Sequence, residues 1–545
     1  MRRTPALLVV VGGLVAAQGV GVDTAAATAS CVQVASECHR SLADALAAAE
    51  DGDTVQVPAG TFPGGVHVTR DITLVGAGAE QTVLSGGGPV LTIGTVGAES
   101  QPTVTLRGIT LADGRTTSSA VDGVDHVAAG GGLSVLPSAG GRRGGTVTVA
   151  DSVIRDNRAE PAGQLTQRDE PGVPMCPTGP CPFAAARGGG VDNWGDLTLQ
   201  DTVVTGNTAA GELTSDAVGG GISTAAGSLT LDHATVSGNR ALAGVPWGRF
   251  AEGGGIFQEG GTSVTLQHSS VSGNESRLVT ELPSVLDDGT RLEHQANGGG
   301  MHVGDASTVT IESSHLDGNV TSVVAPHAED GAFNSALQMT TGTLVVHDST
   351  VDGNTLTADL ASAPMFPGTA FQWGGTATIT GSEFTDNVTT VTAREGDATA
   401  GATVAALAIP IQGAGGIQPS LLERSSISDN TVTVVAPHGD ATVLGGGLVH
   451  DGDTVLRHVR VTGNQVVAES ATATLQGGGI WNGAFQGVAP EPPSRLSLVR
   501  SVVAENVLAG PDGAVLEGGG LYSEVPVTLW QTRVEGNVPD DCVGC

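Results

Sequence analysis

The chain has 545 residues, 83 of them Gly, with 3 % aromatic and 14 % charged residues, yet 39 % are apolar, too many for a chain kept unfolded by low hydrophobicity. Its formal net charge of −33, from 56 acidic groups against 23 basic ones, repels nucleic-acid phosphates and anionic membranes, so neither is an expected partner. Such acidity serves solubility and requires no cofactor, although it does not repel divalent cations and leaves room for calcium.

Residues 1–29 read as a signal peptide: two Arg, an apolar run, then the small-x-small form Ala27-Thr28-Ala29. The expected location is therefore secreted or cell-surface. Thr28 and Asp23 speak against lipid attachment at Cys31. No later stretch reaches the roughly 18 apolar residues of a membrane span. Six cysteines fall in close pairs, Cys31 with Cys38, Cys176 with Cys181 and Cys542 with Cys545, which in an exported chain read as local disulfides. Only the last pair has CxxC spacing, with no second CxxC or paired His nearby, so no metal site is expected.

Residues 30–53 are expected to form an N-terminal cap. "SLADALAAAE" at 41–50 is an amphipathic helical pattern in which Ser41 and Asp44 resemble a capping box. A helix over the first coil would blunt an open sheet edge.

From residue 54 to 545 two marks recur. Triple-Gly blocks followed by an apolar residue end at Gly132, Gly190, Gly221, Gly255, Gly300, Gly447, Gly479 and Gly520. An Asn closes motifs such as "VSGN" and "VTGN" at Asn157, Asn207, Asn239, Asn274, Asn319, Asn354, Asn387, Asn430, Asn464, Asn506 and Asn537, 31 to 50 residues apart. That period belongs to repeat architectures. Alternating segments such as "SVTLQHSSVSGN" read as short strands, about three per repeat, and stacked repeats of this kind make a single-stranded parallel β-helix of about 11–13 coils. Length variation between repeats marks loop insertions at about 160–187, 275–297 and 389–420. Gly is expected where stacked coils leave no room for a side chain, and Asn to form amide ladders at another corner. A monomer is expected.

"SLADALAAAEDGDTVQVPAGTF" followed by "ITLVGAG" resembles the cap and first coils of right-handed parallel β-helix proteins of the pectin-lyase-like superfamily. The alternation of "GGGI" with an apolar-x-x-Asn motif, whose clearest match is Phe384 in "FTDN", resembles the repeats of chlamydial polymorphic membrane proteins. The resemblance spans nearly the whole mature chain and implies a right-handed helix and a surface-exposed protein. The chain ends at Cys545 without the transporter barrel of those proteins, so no autotransporter mechanism is expected.

The fold hosts both enzymes and non-catalytic proteins, so function turns on the site. Hydrolases and lyases of this fold need converging carboxylates with a His or a basic residue. Asp287-Asp288 and Asp540-Asp541 lack such company. Arg457, His458 and Arg460 near Asp451 and Asp453 form the densest mixed group but fall on an ordinary repeat strand. The near-identical loops around His327 and His438 read as copies of a repeat rather than a split metal site. No catalytic residue is assigned. The residues just after the Gly blocks are more promising: Phe257, His302, Gln338, Gln372, Trp373, Trp481, Asn482 and Tyr522 would line one face as columns of rings and amides. Such a face suits an extracellular polysaccharide or cell-surface glycan. The expected function is a secreted, non-catalytic adhesive or polysaccharide-binding solenoid. A lyase or glycoside hydrolase on acidic polysaccharide, and a structural coat component without ligand, are the alternatives.

Overall fold

The computed structural model describes residues 31–118, 127–161, 175–176, 179–180, 184–210, 216–244, 248–285, 292–329, 332–363, 369–402, 404–407, 420–483 and 495–545. The signal-peptide stretch, Cys181 of the middle cysteine pair and Asp287-Asp288 lie outside these residues.

Period-two runs of Val, Thr, Leu and Ile can bury one face only by pairing strand on strand, and here each pairs with its counterpart one repeat away. One coil runs through strands Ser228–Asp232, Thr235–Ser237, Arg240–Ala243, Phe250–Glu252 and Ile256–Gln258. Each is parallel to the next coil's equivalent, with Ser228 opposite Ser263, Thr235 opposite Ser270, Arg240 opposite Glu275, Phe250 opposite Gln295 and Ile256 opposite Met301. The result is a right-handed parallel β-solenoid of four long sheets. Three strands per coil are expected and five are present, because the coil crosses four sheets and the Gly block splits its run in one of them into two short strands. The second sheet holds 14 strands, one coil beyond the expected range. Its first three strands, Gly60–Pro63, Thr82–Ser85 and Thr110–Ala112, belong to first coils that precede the first Asn mark. At about 4.8 Å per step the stack is about 62 Å long. Ladder strands also stand at the ends of the expected insertions, Glu275–Val279 and Gln295–Asn297 around one, and Ala398–Gly401 and Val404–Leu407 inside another.

The interior is a set of aliphatic columns. Leu199, Leu231, Leu266, Ile311, Val346 and Ile379 stack coil on coil, all essentially buried, each contributing about 1.5–3 kcal/mol by leaving water.

The two sequence marks meet in space. In the block 253–255, Gly253 has φ +61°, a Cβ on Gly254 would lie 2.4 Å from the Glu275 carbonyl, and one on Gly255 would lie 2.9 Å from the Asn274 amide. The stacked coil leaves no room either, the same two Cβ atoms falling 2.5 Å from Gly299 O and 2.7 Å from Gly300 O, so the Gly column is required both by the next coil, as expected, and by the Asn column across the coil. Asn274 Nδ2 donates to Val236 O (2.9 Å) and to Asn319 Oδ1 (3.0 Å), which also accepts from the Asn274 backbone N (3.1 Å). The same pattern joins every marked Asn from Asn157 to Asn537.

Both ends of the stack are closed locally. At the first coil, hairpin strands Val32–Val34 and Glu37–His39, bridged by Cys31–Cys38, pair antiparallel to the first sheet. Helix Leu42–Ala48 follows, its N-cap Ser41 accepting from Asp44 N at 3.1 Å and its Leu42 and Ala45 buried. At the last coil, Asp541 Oδ1 accepts from Asn537 Nδ2 (3.1 Å), ending the amide ladder, and Cys542 is bridged to Cys545.

Candidate ligand-binding face

The face interrupted by the Gly blocks carries the most varied side chains. Along the strands after the blocks ending at Gly255, Gly300 and Gly520 burial alternates in–out–in, so the middle residue points away from the core, whereas after the other blocks the whole strand is buried. Register makes those middle residues one row: Ser223, Phe257, His302, Gln338, Gln372, Ala405, Val449, Trp481 and Tyr522.

Phe257, His302, Gln338 and Gln372 are all half-buried and form a continuous run. The Phe257 and His302 rings stack with centroids 5.3 Å apart, and His302 Nδ1 lies 3.2 Å from Gln338 Oε1. Gln372 Oε1 accepts from Asn334 Nδ2 at 3.3 Å. Phe257, His302 and Gln338 are thus linked along the row and Gln372 is held by Asn334 of the preceding coil, while part of each surface stays accessible, which suits flat rings and hydroxyls. Tyr522 is half-buried in the same row several coils on, its phenol pushed up by burial and by the nearby Glu517 and Glu524.

Three of the expected residues do not reach this surface. Trp373 (1 % exposed) and Asn482 (0 %) fall on the inward row, because each stands one residue after the row positions Gln372 and Trp481. Trp373 packs edge-on against Phe371, and Asn482 is a rung between His450 (Nδ1···Oδ1 2.7 Å) and Ser523 (2.7 Å). His450 is wholly buried and lowered to about 4 by that burial. Trp481 is second in its strand but only 2 % exposed, packed with Ala402, Val449 and Tyr522.

A polar group escaped the sequence reading because it lies before the Gly blocks, in "SDAVGGG" and "RFAEGGG". Register places Asp216 opposite Phe250, and Val218 opposite Glu252, which is opposite Asn297. Burial pushes the Asp216 carboxyl up to about 7; Arg249 opposes the shift and Glu252 adds to it. Its Oδ1, like Arg249 Nε, has no hydrogen-bond partner among the described residues. Arg249 lies over the Phe250 ring at 5.1 Å, and Asn297 Nδ2 donates to Glu252 Oε1 at 3.1 Å. One coil further down, Trp194 Nε1 donates to Asp192 Oδ2 at 3.2 Å, with Arg187 over the indole at 5.6 Å. The available signal was the position one to four residues ahead of the Gly block, in the same sheet as Phe257.

The other sequence candidates do not converge. Asp453 and Arg457 are at opposite ends of one strand, about 13 Å apart. Asp540 and Asp541 cap backbone and ladder groups at Gly519 and Asn537. His327 and His438 are exposed and belong to coils three steps apart, about 14 Å along the axis.

No family model matches the chain, and no curated protein sequence matches it. Among solved structures it is similar to the A-module of the Azotobacter vinelandii mannuronan C-5 epimerase AlgE6, at 14 % identity over 90 % of this chain and 92 % of that one, with a TM-score of 0.26. The AlgE4 A-module from the same organism is similar at 12 % identity over 91 % and 92 %, with a TM-score of 0.24.

Proposed function

We propose that the protein is a secreted, surface-exposed solenoid that binds a polysaccharide along the Gly-block face, without cleaving it. The observation that carries this is the half-buried run Phe257–His302–Gln338–Gln372, one side chain per coil, linked ring to ring and ring to amide. A coil rise of about 4.8 Å is close to the length of a sugar unit in an extended chain, so successive sugars can meet successive coils. The net charge of −33 opposes a polyanion and favours a neutral glycan. The likeness of the repeats to those of chlamydial polymorphic membrane proteins, and of the cap to the pectin-lyase-like superfamily, supports surface display of such a rod.

A retention and release assay on neutral and acidic polysaccharides tests this. Retention of a neutral glycan without release of sugar is expected. Retention of none contradicts the proposal and leaves a coat component.

One observation favours a second reading, a hydrolase or lyase on the same face. A carboxyl raised to about 7 beside Glu252 and Arg249 has the proton affinity of a general acid or base near neutrality. Release of reducing or unsaturated sugar, abolished by Asp216→Asn, would replace the non-catalytic reading with this one.

A further inference from the structure

At the corner between the first and second sheets one residue per coil takes the left-handed conformation. Asp201, His233, His268, Ser313 and Asp348 occupy it in five successive coils, with φ between 45° and 51°. Asn, Asp and His adopt this region more readily than other side-chain-bearing residues, so the corner accounts for one His at a time. It does not account for what two in succession bring together. The His233 and His268 rings are stacked with centroids 4.7 Å apart and an interplanar angle of 13°. His233 Nδ1 lies 2.7 Å from Asp232 Oδ1. One donor atom from each of Asp232, His233 and His268 lies within 4.8 Å of the other two.

We infer that Asp232, His233 and His268 form a surface site for a divalent first-row transition metal of the Zn2+ class, joining two adjacent coils. Two imidazoles and one carboxylate suit Zn2+, Ni2+ or Cu2+ and not Ca2+, which takes oxygen donors. With Zn–N and Zn–O bonds of about 2.0–2.2 Å, donors on one tetrahedral ion sit about 3.3 Å apart. Both His side chains are exposed and Asp232 is half-buried, so they are free to rotate about their side-chain bonds, opening the stack and turning one nitrogen of each ring toward a shared ion. The carboxylates of Asp201, one coil below His233, and Glu312, whose carbonyl accepts from His268 N, add negative charge around the site. Three protein ligands leave one position for water. The site is on a different corner from the proposed glycan face and does not depend on it.

The chain carries its own control. His458 has the same corner conformation, φ 55°, but the adjacent coils place Arg424 and Arg500 at that position, so it has no second imidazole. The test is calorimetric titration of ZnCl2 into the metal-stripped full chain. The variants are His233→Asn and His268→Asn, which keep a residue tolerant of positive φ, with His458→Asn as control and circular dichroism to confirm that each is folded. One equivalent of Zn2+ should bind, at least fivefold more weakly in His233→Asn and in His268→Asn, and unchanged in His458→Asn. No uptake by the unmodified chain, or a loss of less than fivefold in either variant, overturns the assignment.

Discussion

The Asn column and the Phe257 row run along the same axis, one coil per step, yet they differ in kind. The first repeats one residue in eleven coils, wholly internal and fully hydrogen-bonded. The second carries different residues in most coils and keeps part of the side chain in reach of solvent at Phe257, His302, Gln338, Gln372 and Tyr522, while Ser223, Val449 and Trp481 in the same row are buried. A column of identical residues solves one problem that recurs every coil, here the backbone groups of a turn that no water can reach. A column that varies under the same spacing is not fixed by stacking, and its chemistry is available for a ligand. The contrast separates residues that hold the solenoid together from those that face outward from it.

The contrast is broken most severely from the Asn side. Asn319→Leu removes the acceptor of Asn274 N and Nδ2 and the donor to Val271 O and Asn354 Oδ1. At about 1–3 kcal/mol for each orphaned buried group, a loss of about 4 kcal/mol is expected, read as a lowered urea midpoint. Gly254→Ala should cost about 3 kcal/mol in the same assay by forcing a methyl against the Glu275 carbonyl. Gly273→Ala, at positive φ (+60°) unlike Gly254 but with nothing within 4 Å of the new Cβ, should cost only about 1 kcal/mol. A loss at Gly254 no larger than at Gly273 would mean that close approach of backbone does not explain the middle glycine of the blocks.

The smallest expected effect is a cancellation. Asp216 has its carboxyl raised from 3.8 to about 7, so its contribution to stability is fully present below 3.8 and lost as pH rises through about 7. His450 is lowered from 6.5 to about 4, so its contribution is present above 6.5 and lost as pH falls through about 4. Between about pH 4 and 6.5 these two slopes oppose each other. Asp216→Asn should therefore make stability rise with pH across that window more steeply than in the parent, measured by urea midpoints at several pH values.

The stacked coil was legible because its marks are strictly periodic: a Gly block and an Asn per coil, with alternating strands between them. What stayed hidden is what periodicity does not encode. The Ser rungs that pass hydrogen bonds from coil to coil, Ser269 N to Ser314 Oγ and Ser314 N to Ser349 Oγ, were present in the sequence but look like ordinary strand polarity. The outward row was readable as a column, yet Trp373 and Trp481 were placed on it by proximity to the Gly blocks, whereas one-residue parity and local cover decide exposure. Asp216, Arg249 and Glu252 were missed because their strand lies on the side of the block where spacing varies, so only three-dimensional register aligns them.

The most direct test of the central claim is calorimetric titration of a length series of the retained oligosaccharide into the parent chain and Phe257→Ala. Affinity should climb with length until about four sugars span the three coil steps from Phe257 to Gln372, and Phe257→Ala should weaken binding about tenfold with an unchanged melting temperature. Affinity that is independent of length, or indifferent to loss of the Phe257 ring, would contradict a glycan lying along this row.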